Sequence, residues 1–295
     1  MRSDKTSLTT RQLADSLGVS ESSVKRWVDD GLIAAHRTAG GHRRIPMSAA
    51  IGFIRRNRSL PEKPQLLDLP ATPALGTVDP NAADALFNAF VEDQPNQARA
   101  IITGRYIAGA DIATIGDGLI RPVLQRIGDM WRSDESAILI EHRAVETCVQ
   151  ILAELAAWLP PLPESGPVAI TAAGPADPYM LGPILASLSL RERGIQVRNL
   201  GPMTPFEIIV LALKRYNANL CSLSVGVNFN AKDNQGWQSL LDTIGATKSR
   251  LVVGGRCVDT LSNAVRERSV VCNSMVELAA FATGLLQANA QRTAV

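Results

Sequence analysis

The hydrophobic pattern at the start of the chain predicts two short helices joined by a tight turn. Apolar residues recur there every three or four positions, as they do on the buried face of a helix. These residues are Leu13, Ala14, Leu17, Val24, Trp27 and Val28. Gly18 suits the turn and Ser20 can cap the second helix. This pattern is typical of a helix-turn-helix.

A basic stretch containing a Gly-Gly pair follows the two helices. Residues 35–46 read Ala-His-Arg-Thr-Ala-Gly-Gly-His-Arg-Arg-Ile-Pro, which predicts a hairpin that turns at the two glycines. Alone, each piece also fits an ordinary helical hairpin or a solvated basic loop. Together they favour a helix for the major groove and a wing for the phosphate backbone. The predicted DNA-binding residues are Ser22, Lys25, Arg26, Arg37, Thr38, His42, Arg43 and Arg44.

The spacing of apolar residues changes twice further along the chain. Residues 61–80 are rich in proline and predict a linker. Residues 81–162 return to helical spacing in four segments, the last from Ser136 to Trp158, and predict a four-helix bundle. From residue 163 short apolar runs alternate with helices, which predicts a parallel sheet covered on both faces that binds ligands at the carboxyl ends of its strands.

These patterns together predict a multidomain α and α/β protein. Residues 1–60 form an N-terminal winged helix-turn-helix and residues 61–80 a linker. Residues 81–162 form a four-helix bundle, and residues 163–295 form a C-terminal Rossmann-like (flavodoxin-like) domain with a parallel sheet. The predicted strands are 168–172, 196–200, 220–225, 250–253 and 270–271.

Charge separates the head of the chain from the rest. Residues 1–60 hold 11 Lys and Arg against 5 Asp and Glu, a balance of +6, whereas the remaining residues hold 19 against 23, a balance of −4. A basic head on an acidic body predicts a polyanionic partner for the head alone. No apolar run approaches the roughly 18 residues of a membrane helix. The first residues are polar and do not resemble a signal peptide. We therefore expect a cytoplasmic protein with no membrane partner.

The cysteines indicate no metal site. Cys148, Cys221, Cys257 and Cys272 are far apart and form neither a Cys-x-x-Cys pair nor a Cys/His cluster. We therefore predict buried free thiols and no bound metal ion held by them.

Two further stretches contain candidate ligand-binding residues. Trp131 precedes the pair Glu141-His142 by ten residues, and we predict that this stretch forms one wall of a ligand pocket, although a buried Trp is more often core and a single His more often structural. Small residues follow three predicted strands, at Gly182, at Ser224-Val225-Gly226 and at Gly254-Gly255. They leave room for a large flat or chain-like ligand, and no glycine-rich nucleotide-phosphate motif occurs.

The first 60 residues resemble the winged-helix DNA-binding domain of MerR-type regulators. The similarity is closest in Arg37–Ile45, which reads Arg-Thr-Ala-Gly-Gly-His-Arg-Arg-Ile. The resemblance implies that the basic residues of the second helix and the wing contact operator DNA, that Trp27 is core, and that the protein acts as a homo-oligomer, a dimer or a tetramer.

The remainder resembles the cobalamin-binding fold of methionine synthase and corrinoid proteins. Its signature, Asp-x-His-x-x-Gly, then Ser-x-Leu, then Gly-Gly, corresponds here to Asp177-x-Tyr179-x-x-Gly182, Ser224-x-Gly226 and Gly254-Gly255. With the head and the bundle, the order of parts is similar to that of the CarH/LitR group of light-sensing repressors that depend on cobalamin. By that resemblance Trp131, Glu141 and His142 would lie on the upper face of a corrin that carries adenosyl.

Two departures from this group concern the cobalt ligands. Tyr179 stands where the group has the His that ligates cobalt from below, and Arg132 stands where it often has a His directly after the Trp. A neutral phenol is a poor substitute for imidazole, and Arg is a fixed cation. Three alternatives stay open: cobalamin (adenosylcobalamin) held without these ligands, another tetrapyrrole such as a haem or a bilin, with Arg132 and Arg143 near its propionates, or no cofactor.

The sequence therefore predicts a transcriptional regulator, a repressor by resemblance, whose oligomeric state and binding to double-stranded operator DNA respond to a tetrapyrrole and to light. The tetrapyrrole would lie between the bundle and the Rossmann-like domain. We expect no enzyme, because no nucleophile-base pair or paired acids follow the strands. The alternatives are a chromophore-free regulator that uses the domain for oligomerisation or partner binding, and a corrinoid carrier protein.

Overall fold

A computed structural model describes residues 7–69, 81–130, 136–163, 165–228 and 230–293. The chain divides into two compact units. The first comprises Met1–Asp111 and Gly118–Pro161, and the second comprises Ile112–Asp117 and Leu162–Val295. No helix in the described ranges is long and apolar enough to cross a membrane.

The first unit begins with a helix-turn-helix and a small antiparallel sheet. Its elements, in chain order, are β1 (Ser7–Thr9), α1 (Thr10–Leu17), α2 (Glu21–Asp29), β2 (His36–Arg37), β3 (Arg43–Pro46) and α3 (Met47–Asn57). The strand order is β1-β3-β2, so that β2 and β3 form the predicted hairpin and β1 holds its other edge. The predicted winged helix-turn-helix is confirmed.

Local capping explains why α1 and α2 begin and end where they do. Thr9 and Gln12 form a capping box at the start of α1. Gly18 ends α1 with a φ of 68°, in the left-handed region that glycine adopts at little cost. Ser20 accepts a hydrogen bond of 3.1 Å from the backbone N–H of Ser23 and so caps α2 as predicted. Val24 is buried, and the Trp27 ring packs on Phe53 of α3 at 4.8 Å.

The proline-rich stretch after α3 packs on the head over its first part. A 3-10 helix, Pro64–Leu67, buries Leu67, and the backbone of Lys63 pairs with that of Ser16 in α1 at 3.0 Å. Of the residues predicted as a linker, 70–80 lie outside the described residues.

The helical part of the first unit contains α4 (Ala82–Val91), α5 (Pro95–Ile107), α7 (Arg121–Met130) and α8 (Ser136–Trp158). The helix α8 has the bounds that the sequence predicts. Arg99 of α5 forms a half-buried ion pair with Glu154 of α8, with a nitrogen-oxygen distance of 2.5 Å. That hydrogen bond raises the pKa of Arg99 and fixes α5 against α8.

The segment before α7 differs from a continuous helix. It consists of α6 (Ile112–Ile115) followed by a π-helical turn, Gly116–Ile120. Residues 112–117 cluster with the second unit, where the Asp117 carboxylate accepts bonds from the backbone N–H groups of Met275 and Val276, at 3.0 and 2.9 Å. This carboxylate caps the last helix of the chain, a contact that periodicity along the sequence cannot reveal.

The second unit is a parallel sheet of five strands covered on both faces. Its main elements are β4 (Val168–Ala173), α9 (Leu181–Glu192), β5 (Gln196–Gly201), α10 (Phe206–Arg215), β6 (Leu220–Ser224), α11 (Asn234–Thr247), β7 (Arg250–Gly254), α12 (Asn263–Glu267), β8 (Val270–Val271) and α13 (Met275–Thr293). The strand order is β5-β4-β6-β7-β8, the flavodoxin-like order. One apolar core includes residues of α10, α11 and α12, and another includes residues of α9 and α13. The predicted Rossmann-like fold is confirmed.

Candidate functional site

The exposed side of α2 has the polar and basic character that a recognition helix needs. Ser22, Lys25 and Arg26 are exposed. The hydroxyls of Ser22 and Ser20 lie 2.8 Å apart, and Lys25 forms an ion pair of 3.1 Å with Glu21. The hydrogen bond from Thr10 and the pairing with Lys25 lower the pKa of Glu21, so this carboxylate stays charged. Arg26 forms no ion pair with any described residue.

The hairpin β2–β3 presents four of the predicted residues beside α2. Arg37 and His42 are exposed, whereas Thr38 and Arg44 are half-buried. The turn is held by a backbone bond of 2.9 Å from Thr38 to His42 and a bond of 3.2 Å from the His42 N–H to the Thr38 hydroxyl. Neither Arg37 nor Arg44 has an ion-pair partner within the described ranges, so both guanidinium groups are available to phosphate.

Arg43 is the exception among the hairpin cations. Its guanidinium donates to both carboxylate oxygens of Asp29, at 2.7 and 3.0 Å. Asp29 is the last residue of α2, so this ion pair, in which one Arg43 nitrogen donates to both carboxylate oxygens, fixes the hairpin relative to the recognition helix. The sequence predicted a DNA contact for Arg43 and did not single out Asp29, whose position at the end of α2 beside a basic hairpin was the available signal.

The carboxyl edge of the sheet is organised around the buried carboxylate of Asp177. This side chain is 1% exposed. It accepts hydrogen bonds from the backbone N–H groups of Tyr179, at 2.9 Å, and Gly226, at 2.5 Å. The Asp177 carbonyl also accepts from the N–H of Met203. Asp177 therefore joins the loops that follow β4, β5 and β6.

Four predicted glycines at this edge lie where a side chain would collide with a neighbour. A Cβ atom at Gly182 would lie 2.4 Å from the Ser224 hydroxyl, and one at Gly226 would lie 2.8 Å from the Asp177 carboxylate. At Gly254 and Gly255 a Cβ would lie 2.5 Å from the backbone carbonyl of Cys272 and of Val225, respectively. The structure thus brings the predicted sheet-edge residues together. Gly182 and Gly226 pack against side chains, and Gly254 and Gly255 pack against backbone carbonyls.

Tyr179 occupies the position of the expected cobalt ligand and is engaged by a residue that the sequence did not single out. The Arg256 guanidinium donates to the Tyr179 hydroxyl and lies 4.4 Å from the centre of its ring. Arg256 Nε also donates to the Gly226 carbonyl at 2.7 Å. Its place directly after Gly254-Gly255 was the one signal for it in the sequence.

A small cavity opens beside these residues. It has a volume of about 30 Å³ and is lined by apolar side chains, among them Phe206, Val225 and Trp237, together with Asp177 and Ser224. A cavity of this size holds about one water molecule. It cannot take a group as large as a tetrapyrrole ring without rearrangement of its lining.

Of the remaining predicted residues, Glu141 and His142 lie on α8 in the first unit. Glu141 is half-buried, with a carboxylate oxygen 3.9 Å from the Cβ position of Gly128 on α7, and His142 is exposed. Trp131 and Arg132 lie outside the described residues. No group of three or more His, Cys, Asp or Glu side chains within the described ranges is arranged to hold a metal ion.

The thiols are largely buried. Cys148, Cys221 and Cys272 are buried, and Cys257 is half-buried. Burial raises the pKa of Cys148 and of Cys221 to about 12 and, with the charge of Glu277, that of Cys272 to about 11. None of the four forms a disulfide.

Comparison with known proteins separates the two ends of the chain. Residues 7–58 match the family model of a helix-turn-helix domain. The chain therefore carries a helix-turn-helix DNA-binding domain. A comparison with curated protein sequences finds no match.

Similar solved structures come from corrinoid proteins. The monomethylamine corrinoid protein of Methanosarcina barkeri aligns with a TM-score of 0.53 and 18% identity over 70% of this chain and 98% of that chain. A cobalamin-binding protein from Desulfitobacterium hafniense DCB-2 aligns with a TM-score of 0.35 and 17% identity over 68% of this chain and 96% of that chain. The methanol:cobalamin methyltransferase complex MtaBC of Methanosarcina barkeri aligns with a TM-score of 0.37 and 14% identity over 79% of this chain and 91% of that chain. The first of these shows that the chain shares the fold of a corrinoid protein.

The described residues do not fit a cobalamin whose cobalt is held by a protein nitrogen. Tyr179 offers a phenol in place of an imidazole, and this phenol already accepts a bond from Arg256. Asp177, which could orient a ligand side chain, is engaged by two backbone N–H groups. The described residues therefore form the glycine-lined edge but do not supply the nitrogen ligand for cobalt at the position of Tyr179.

Proposed function

We propose that this protein is a transcriptional regulator of the MerR type that binds operator DNA through its winged head as a dimer or tetramer. The observation that carries the proposal is the surface formed by α2 and the hairpin β2–β3. It combines the cations of Arg26, Arg37 and Arg44, which form no ion pair with any described residue, with the Arg43–Asp29 pair, which fixes the hairpin to the recognition helix. Such a surface suits a helix in the major groove and a wing on the phosphates.

Assembly of two copies of the chain would raise its affinity for DNA. Two heads that bind together neutralise more phosphates than one, and the second binds at a high effective concentration. A change in oligomeric state is therefore sufficient to switch operator occupancy, and bound regulator would act as a repressor if its site overlaps that of the transcription machinery. The proposal assigns no catalytic reaction to the chain.

DNA binding by the winged head is tested with duplexes that the full chain enriches from a random-sequence DNA library. The wild-type chain should enrich a repeated half-site, and Arg26→Ala and Arg37→Ala should each weaken binding to the enriched duplex about tenfold or more. Lys232→Ala, which removes an exposed cation from the second unit, is the matched control and should leave binding unchanged. Failure to enrich any duplex would exclude this function.

We further propose that a tetrapyrrole at the carboxyl edge of the sheet controls assembly and makes it respond to light. The fold that the chain shares with a corrinoid protein supports this proposal, and a bound ring would require the side chains that line the small cavity beside Asp177 to move. Since the donor set does not suit cobalt, a haem or bilin, or a cobalamin that supplies its own axial ligands, fits better than a corrinoid ligated by the chain.

An absorption spectrum tests the ligand. The purified full chain is incubated in darkness with adenosylcobalamin, haem or biliverdin, separated from free ligand, and its spectrum is recorded before and after illumination. One of the three should remain bound with a changed visible spectrum. A colourless protein in all three cases would contradict the tetrapyrrole proposal while leaving DNA binding intact.

A chromophore-free regulator is the second candidate. One specific observation favours it: Asp177, Tyr179, Gly226 and Arg256 are hydrogen-bonded to one another, which holds the loops of the edge together without a ligand. In that case the second unit serves for oligomerisation or partner binding. A corrinoid carrier has less support, because Tyr179 replaces the nitrogen ligand that such a carrier uses.

A further inference from the structure

The outer face of α10 is apolar at its centre and charged at its two ends. Ile208 and Leu211 are 43% and 57% exposed and lie about one turn apart on the same helix. Glu207 is exposed near the start of the helix, and Lys214 and Arg215 are exposed at its end. No described residue forms an ion pair with any of these three charged side chains.

These five positions form one continuous surface, here called the α10 face: Glu207, Ile208, Leu211, Lys214 and Arg215. At 3.6 residues per turn they span about 120° around the helix. Leu211 lies at the middle of this arc and at the middle of the face along the helix axis. Met203 before the helix and Tyr216 after it are 60% and 39% exposed and extend the exposed apolar surface at both ends.

The α10 face is complementary to itself in an antiparallel arrangement. The twofold axis passes between the two copies of Leu211, perpendicular to the helices. It reverses positions along the helix and keeps each side chain on its own side of the arc. At about 100° per residue, Glu207 and Lys214 lie on one side of Leu211, and Ile208 and Arg215 lie on the other. Glu207 therefore faces Lys214 of the second helix, and Ile208 faces the aliphatic stem of Arg215. Leu211 meets its own copy, which is the defining property of an isologous contact.

We propose that the α10 face is a homodimer interface in which two copies of this chain pack α10 against α10 about that axis. The occupant is a second copy because charges and apolar positions match under one rotation, which an unrelated partner would not require. The charges alone also complement the helix dipole, so their reversal is part of the test. The proposal deepens the proposed function, since it names the contact that would bring two winged heads together.

Sedimentation of the full chain, without DNA or added ligand, tests the interface. The wild type should show a concentration-dependent monomer–dimer equilibrium, and Leu211→Glu should raise the dissociation constant more than tenfold, because it places two carboxylates on the axis. Leu66→Glu is the matched control, since Leu66 is 46% exposed in the first unit, and it should sediment like the wild type. Circular dichroism checks that both variants are folded.

Charge reversal supplies a test that a folding defect cannot imitate. Glu207→Arg should weaken the dimer severalfold, and adding Lys214→Glu to the same chain should restore it, because two opposite charges face each other again. A monomeric wild type, or a dimer unaffected by Leu211→Glu, would overturn the proposal. Dimerisation through the α10 face by a chain that enriches no duplex would instead contradict the proposed function, so the two failures are distinguishable.

Discussion

The head and the sheet edge differ in whether their polar side chains are already paired within the protein. On α2 and the hairpin, Arg26, Arg37 and Arg44 have no ion-pair partner among the described residues, and the Arg43–Asp29 ion pair orients the surface. At the sheet edge, Asp177, Tyr179 and Arg256 are bonded to one another or to the backbone. The head therefore has charge to offer a polyanion, whereas the edge has little left for a ligand.

This contrast shows that two surfaces of one chain can differ in how many of their polar groups are available to a ligand. A surface that must neutralise phosphates needs unpaired cations, because its affinity comes from releasing the counterions of DNA. A site that must hold a metal or a polar cofactor needs donors aimed outward, and an inwardly bonded network does not supply them. The fold of a corrinoid protein is therefore weaker support for a cofactor than the exposed cations of the head are for DNA.

Among substitutions at the sheet edge, Gly255→Ala should have the largest effect on stability. A Cβ there would lie 2.5 Å from the Val225 carbonyl, and the φ of Gly255 is 127°, so both collision and backbone strain result. We expect a loss of about 3 kcal/mol or more in the free energy of unfolding, measured in urea. Gly174→Ala is the control, since its Cβ meets open space, and a similar loss for both would contradict the packing described.

Loss of the Asp177 carboxylate should have the next largest effect on the free energy of unfolding. Asp177→Asn replaces one acceptor oxygen by an NH₂ group that faces backbone donors, which should destabilise the second unit by about 1–3 kcal/mol. Asp259→Asn, at an exposed carboxylate, should change the unfolding free energy by less than about 0.5 kcal/mol. Equal urea midpoints for the two variants would mean that the edge is not held together by Asp177.

A pH titration tests the burial of the thiols. The pKa of Cys221 is raised by burial from an ordinary 9.0 to about 12, so the neutral form is the one that the folded state favours. Its contribution to stability is fully present below pH 9 and is lost as the pH rises towards 12. The Cys221→Ala variant should therefore show a weaker alkaline fall in unfolding free energy than the wild type. Parallel curves for the two proteins would contradict a buried thiol.

The same burial predicts a smaller and more local effect on reactivity. Iodoacetamide at pH 8 should label the folded chain mainly at Cys257, the half-buried thiol beside the Gly226 carbonyl, because thiolate is the reactive form. In urea all four cysteines should react, as mass spectrometry would show. Rapid labelling of Cys148 or Cys221 in the folded protein would be inconsistent with their surroundings.

Most of the fold could be predicted from sequence because its signals are local. The strand at Gln196 and the strand at Arg250 each begin where an apolar run predicts, and α8 begins at Ser136 and ends at Trp158 as expected. Gly18 and Ser20 act as the turn and cap that their types suggest. These features depend on the chemistry of neighbouring residues.

The features that could not be predicted depend on contacts between distant residues. The capping of α13 by Asp117 spans more than 150 positions, and the bond between Arg256 and Tyr179 spans 77. The predicted DNA contact of Arg43 could not be weighed against its pairing with Asp29 before the hairpin was placed beside α2. Such pairings follow from tertiary geometry, and no periodicity in the sequence records them.

The most direct test of the central claim, that unpaired cations of the head bind DNA, is the salt dependence of duplex binding by the full chain. The logarithm of the association constant should fall steeply and linearly with the logarithm of salt concentration, by about 0.9 per phosphate contacted. Arg37→Ala and Arg44→Ala should each flatten this slope by about 1, whereas Lys232→Ala should not change it. Binding that is insensitive to salt, or weakened equally by Lys232→Ala, would contradict the claim.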